Sequence, residues 1–150
     1  MIAHRGGGQA DGTVSYGDVF AAQPFRNQLV TLTLTGDEIK AVLEQQWRDP
    51  QRPRILQVSQ GFSYGWDSRA ADGARVPLAR ITLDGRPIDA AAAYRVTVNG
   101  FLAAGGDGFT ALQTGRDPRV GVYDVDALSS YLRDRSPVAP PRAPRIARID

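Results

Sequence analysis

The sequence predicts a mixed α/β (α+β) domain, on three observations. Residues 29–34 alternate apolar side chains with threonine, the period of a half-buried strand. That strand runs directly into Thr35-Gly36-Asp37-Glu38, a capping box followed by apolar residues at helical spacing. Far along the chain, Tyr94, Val96 and Val98 alternate with Arg95 and Thr97 in another strand. At 150 residues, 42% hydrophobic and 23% charged, the chain suits one domain able to bury a real core.

Taken in order, the chain begins with a glycine run, Gly6, Gly7 and Gly8, then Asp11-Gly12. Glycine is favoured where backbone needs positive φ or must approach a ligand closely. The first strand is followed by a helix whose buried face carries Ile39, Val42, Leu43 and Trp47, with Asp37 and Glu38 at the positive end of its dipole. Asp49-Pro50 ends it. Residues 55–58 and 62–66 are extended, and Phe62, Tyr64 and Trp66 share a face. After the break at Asp72-Gly73, residues 76–83 are expected to form a strand closed by an Asp84-Gly85 turn. The strand around Tyr94 leads into a second glycine-rich loop, residues 99–109. Asp124 is expected to cap a second helix that buries Val125, Leu128 and Leu132. Residues 137–144 are proline-rich and extended, and residues 145–149 add a short strand. With no tandem repeat, the expected organisation is one domain over residues 1–136, with residues 137–150 a tail packing on it.

Composition narrows the chemistry. No apolar run approaches the roughly 20 residues of a membrane helix. With no cysteine, disulfides, thiolate zinc sites and cysteine nucleophiles are excluded. Residues 1–8 have no apolar core of a signal peptide, so none is expected there. Eighteen cationic against sixteen anionic side chains argue little for nucleic acid. The single histidine, His4, stands without an Asp-x-His cluster, which disfavours a dimetal site or a catalytic triad within this chain. Neither glycine loop has the P-loop pattern, and the only lysine, Lys40, is inside a helix. Gly105-Gly106-Asp107-Gly108-Phe109 resembles the diguanylate cyclase signature superficially, but Gly108 stands where that signature needs an acid. Arg5 with its three glycines is one isolated Arg-Gly-Gly unit. More informative are Phe25 and Phe101, both in polar, glycine-rich settings. Such rings either stack a planar base, worth about 1–3 kcal/mol per base, or plug the core beneath their loops. The sequence leaves both readings open.

Read together, the motifs carry a resemblance. They are the glycine loop ending in Ala10-Asp11, then Val14-Ser15-Tyr16-Gly17-Asp18, Gln23-Pro24-Phe25-Arg26-Asn27 and Leu34-Thr35-Gly36. Val58-Ser59-Gln60-Gly61-Phe62, Tyr94-Arg95-Val96-Thr97-Val98-Asn99 and Phe101-Leu102-Ala103-Ala104-Gly105-Gly106-Asp107-Gly108-Phe109 follow. In order and spacing, over about residues 2–132, they resemble the C-terminal domain of the 5′-nucleotidase and UDP-sugar hydrolase family. The resemblance implies a layered sandwich of mixed sheets flanked by helices. It implies a nucleotide-catabolic phosphohydrolase in which this domain binds the nucleoside and a separate calcineurin-like N-terminal domain, with two divalent metals, hydrolyses it.

By motif, Phe25 and Phe101 match the two rings that sandwich the base, and Asp107 the carboxylate that accepts the ribose hydroxyls. Asn27 matches a base contact, and Gly61 a close backbone approach to the ligand. The family's first loop usually reads Asn-x-Gly-Gly-x-Arg-Ala-Asp. Anchored on Ala10-Asp11, His4 stands at the asparagine and Gln9 at the arginine, with Arg5 a substitute cation for a phosphate or ligand loop. The implied partners are a nucleoside or nucleotide and the metallophosphatase domain; an edge that normally meets that domain, if left exposed, would favour a second copy of the chain. Nucleic acid and membrane are not implied, no cofactor is expected in this chain itself, and the implied setting is periplasmic or secreted. The alternative is a non-catalytic interaction or oligomerisation module that has lost nucleotide binding.

Overall fold

The computed structural model describes residues 12–139 and 143–150. Four α-helices and seven strands are found among them: α1 (Tyr16–Ala22), β1 (Gln28–Thr35), α2 (Gly36–Glu44), β2 (Phe62–Trp66), β3 (Ile81–Leu83), β4 (Arg86–Pro87), β5 (Ala93–Asn99), α3 (Gly100–Ala103), β6 (Arg116–Tyr123), α4 (Asp124–Arg135) and β7 (Ile146–Arg148). One sheet has the order β5-β1-β6 and is antiparallel throughout. The other has the order β4-β3-β2-β7, with β7 parallel to β2.

The alternation in β1 sets the layers. Leu32 and Leu34 are buried, while Thr31, on the other face of the strand, bonds Thr97 of β5 at 2.9 Å between hydroxyls. Against the buried face packs α2, through Ile39, Val42 and Leu43. Its start is the expected capping box. Glu38 N–H donates to Thr35 Oγ1 at 3.2 Å, and Thr35 N–H to Glu38 Oε2 at 2.7 Å. Arg116 of β6 adds a two-pronged contact to the same carboxylate at 3.1 and 3.2 Å. The Thr35 amide first, and then Arg116, hold the Glu38 carboxyl down at about 2.

Several elements differ from expectation, each for a local reason. The α-helical part of α2 stops at Glu44, and a 3-10 turn, Gln45–Trp47, completes it. There the buried Gln46 turns its amide to neighbours: Nε2 donates to Leu43 O at 2.8 Å, while Oε1 accepts from Leu56 N–H at 2.7 Å and Tyr64 O–H at 2.9 Å. Burial raises the Tyr64 hydroxyl to about 12. Residues 55–58 therefore run past a side chain and join no sheet. Of residues 76–83 only Ile81–Leu83 is strand, because Pro77 opens a 3-10 turn, Leu78–Arg80. Tyr123 occupies the cap of α4; Asp124 is its first helical residue, with Oδ1 accepting from Val125 N–H at 2.8 Å. Val125 is buried, whereas Leu128 and Leu132 are half-buried.

The sequence left α1, β4 and β6 unassigned, and the residues it read as the start of the second glycine-rich loop form α3, capped by Asn99. α1 has its own capping box, Ser15 with Asp18. β6 is exposed along its whole length and irregular in register against β1, with Asp117 at a φ of 49°. At the far end, the Asp150 carboxylate ties β7 down by accepting from Ser68 N–H and Oγ–H, both at 2.8 Å, and from Arg148 Nη2 at 2.6 Å. Arg148 and then Ser68 hold that carboxyl well below the usual carboxylate range.

Candidate functional site

Register places the site. In the first sheet Leu29 pairs with Asn99 and Gln28 with Tyr123, so the start of β1 and the ends of β5 and β6 lie at the same end of the sheet. Phe25 and Asn27 enter β1 there, and Phe101 leaves β5 there through α3. Asn99 caps that short helix, its Oδ1 accepting from Leu102 N–H at 2.8 Å. Asp124 N–H donates to Asn27 O at 2.9 Å, and the Arg26 guanidinium lies 5.2 Å from the centre of the Tyr123 ring. Both sequence-predicted rings face water. Phe25 is 77% exposed and Phe101 51%, so neither plugs the core.

The glycine-rich loop after α3 is held firmly despite its exposure. Gly105, Asp107 and Gly108 all have positive φ, and the Asp107 value of 56° is uncommon for a residue with a side chain. A Cβ on Gly106 would lie 2.5 Å from Phe101 Cε1, so the ring rests on glycine backbone one residue from Asp107. Phe109 is 1% exposed and roots the loop in the core. From the end of α2, Gln45 bonds Thr110 Oγ1 at 2.9 Å and Ala111 N–H at 3.0 Å, and Arg48 Nη1 donates to Gly108 O at 3.3 Å. Arg54 Nη1 donates to Asp107 Oδ1 at 2.6 Å.

The segments that carry Phe25, Asn27 and Phe101 thus adjoin the same end of the first sheet, with Asp107 on the loop that follows α3. Gly61 immediately precedes β2 of the second sheet. Its φ is 89°, and a Cβ there would fall 2.5 Å from Asp84 Oδ1, so the backbone here requires glycine. His4, Arg5 and Gln9 lie outside the described residues. Arg48 and Arg54 escaped sequence reasoning: each meets the loop only through the tertiary fold, and nothing local marks them.

Chemically, two exposed rings with one carboxylate and one guanidinium nearby can stack a flat heterocycle and exchange hydrogen bonds with hydroxyls. Among the described residues no group of three or more His, Cys, Asp or Glu side chains could hold a metal ion, so these residues do not fit a dimetal centre. Nor, among them, is any helix long and apolar enough to cross a membrane.

Comparison with known proteins supplies the lineage of this arrangement. Residues 2–114 match the family described as 5′-nucleotidase, C-terminal domain. The crystal structure of a 5′-nucleotidase precursor from Thermus thermophilus is 36% identical with a TM-score of 0.80, over 91% of this chain and 28% of that one. A 5′-nucleotidase-related protein of Glossina morsitans morsitans is 34% identical over 92% of this chain and 26% of its own length. The cell wall protein Lmo0130 of Listeria monocytogenes is also 34% identical, over 81% of this chain and 15% of its own length. The chain therefore spans about a quarter or less of the length of these two curated relatives.

Proposed function

Because this chain belongs to the 5′-nucleotidase C-terminal domain family, we propose that it is the nucleoside-recognition domain of a 5′-nucleotidase-type phosphohydrolase. The heterocycle of a nucleoside or nucleotide stacks between Phe25 and Phe101, Asn27 reaches its edge, and Asp107 accepts from the ribose hydroxyls. Hydrolysis belongs to a metallophosphatase domain with two divalent ions, supplied outside the described residues. The observation that carries this reading is the pair of exposed phenylalanines on segments that adjoin the same end of one sheet. Neither ring is buried within this chain, and a planar base has two faces to cover. The cell-wall name of the Listeria relative supports a setting outside the cytoplasm.

Calorimetric titration of the chain with adenosine and AMP tests this. Saturable binding that weakens about tenfold or more in Phe25→Ala and in Phe101→Ala is expected. Absence of binding at millimolar ligand, or binding indifferent to both substitutions, contradicts it. A second reading, an interaction module, draws on the exposed Val14, Tyr16 and Phe20 beside and on α1 and on Val120 and Val122 of β6. A stable oligomer in light scattering, unchanged by nucleotide, would favour that reading.

A further inference from the structure

Resting on the reading of Asp107 as the sugar acceptor, we propose that Arg54 is its partner in sugar recognition, and that the Arg54–Asp107 pair selects a cis-diol over a deoxy sugar. The two side chains meet through Nη1 and Oδ1 at 2.6 Å. They are 56% and 49% exposed, so both remain open to a ligand. Among the described residues nothing donates to Asp107 Oδ2, and Arg54 Nη1 makes the only hydrogen bond of that guanidinium.

The chemistry of the pair differs from that of a lone carboxylate. A hydroxyl both donates and accepts, while a carboxylate only accepts and a guanidinium only donates. Two neighbouring hydroxyls therefore match the pair: one donates to Oδ2, and the oxygen of the other accepts from a free N–H of Arg54. A sugar lacking either hydroxyl leaves one half of the pair unmatched, and a site arranged to bond a hydroxyl discriminates against the analogue without it.

Both members are held in place before any ligand arrives. Arg54 follows Pro53, whose ring fixes φ, and its own N–H donates to Gln46 O at 2.9 Å. Two residues on, Leu56 N–H is bound by the buried Gln46 side chain. Asp107 stands between positive-φ glycines in a loop rooted by Phe109 and braced by Arg48. Little ordering remains to be done on binding, which favours discrimination.

The test is calorimetry of the full chain with adenosine, 2′-deoxyadenosine and 3′-deoxyadenosine. Arg54→Ala, Arg54→Lys and the exposed neighbour Arg52→Ala are compared with the unaltered protein. The unaltered protein should prefer adenosine to both deoxy analogues by about tenfold, moderated by the half-exposed setting. Arg54→Ala should lose the preference against one analogue, binding that analogue about as before, and keep the preference against the other, whose missing hydroxyl meets Asp107. Arg54→Lys should recover part of the lost preference, and Arg52→Ala should keep both. Equal weakening toward all three ligands in Arg54→Ala, or both preferences unchanged, overturns the inference and leaves the base-stacking reading standing. If the unaltered protein binds none of the three, both fall together.

Discussion

Phe101, on α3, and Phe109, at the far end of the glycine-rich loop that follows it, have opposite surroundings. Phe109 is 1% exposed and packs with Leu112 in the core, whereas Phe101 is 51% exposed and rests its ring on Gly106. One aromatic anchors the loop; the other is presented by it. Eight positions apart, the same side chain serves stability in one case and, under the proposed function, recognition in the other. A loop can carry a binding residue in an otherwise unfavourable exposed position when a buried neighbour fixes its backbone.

The largest effect should come from the anchor. Phe109→Ala removes a fully buried ring and should destabilise by about 3–5 kcal/mol, read as a lowered urea midpoint. Binding would be lost with it, through the loop. The presented rings should behave in reverse. Phe101→Ala and Phe25→Ala should each cost about 1–3 kcal/mol of nucleoside binding, while changing unfolding free energy by less than about 1 kcal/mol. A Phe101→Ala variant as unstable as Phe109→Ala would abolish the contrast. Gly106→Ala sharpens it further. Its Cβ would displace the Phe101 ring without removing it, so binding should fall by less than in Phe101→Ala, with the urea midpoint near that of the unaltered chain.

The smallest effect is a control remote from both rings. Thr35→Ala removes a cap and should cost about 1 kcal/mol of stability and no affinity. Its pH dependence has a defined sign. Glu38 is lowered from 4.5 to about 2 by the Thr35 amide and Arg116, so its contribution is complete above pH 4.5 and is lost as pH falls toward 2. Acid unfolding curves should show that loss in the unaltered protein and less of it in Arg116→Ala.

What the sequence made legible was local. The β1–α2 unit could be read because alternation, capping box and helical spacing all lie within residues 29–47. The strand at residues 94–98 and the short strand near the end were legible for the same reason. α1 is only seven residues long and contains Gly17, so its capping box lacked a periodic stretch to confirm it. β6 has no buried face to impose alternation, and Pro118 interrupts it. Residues 55–58 have strand-like composition, yet their backbone is claimed by Gln46, a side chain ten positions away from Leu56. At the site, Phe25 and Phe101 were visible as aromatics among polar and glycine residues. Arg54 was not, because its bond to Asp107 spans 53 positions and depends on how the end of α2 meets the loop.

Entry of a heterocycle between two presented rings is tested most directly by nuclear magnetic resonance. The aromatic signals of Phe25 and Phe101 and the amide of Asp107 can be followed while adenosine is added to the chain. Upfield ring-current shifts are expected at both phenylalanines, with a shift at Asp107, all following one saturation curve while the Phe109 signals stay unmoved. Shifts confined to one ring, or found only elsewhere in the molecule, would contradict a base held between Phe25 and Phe101.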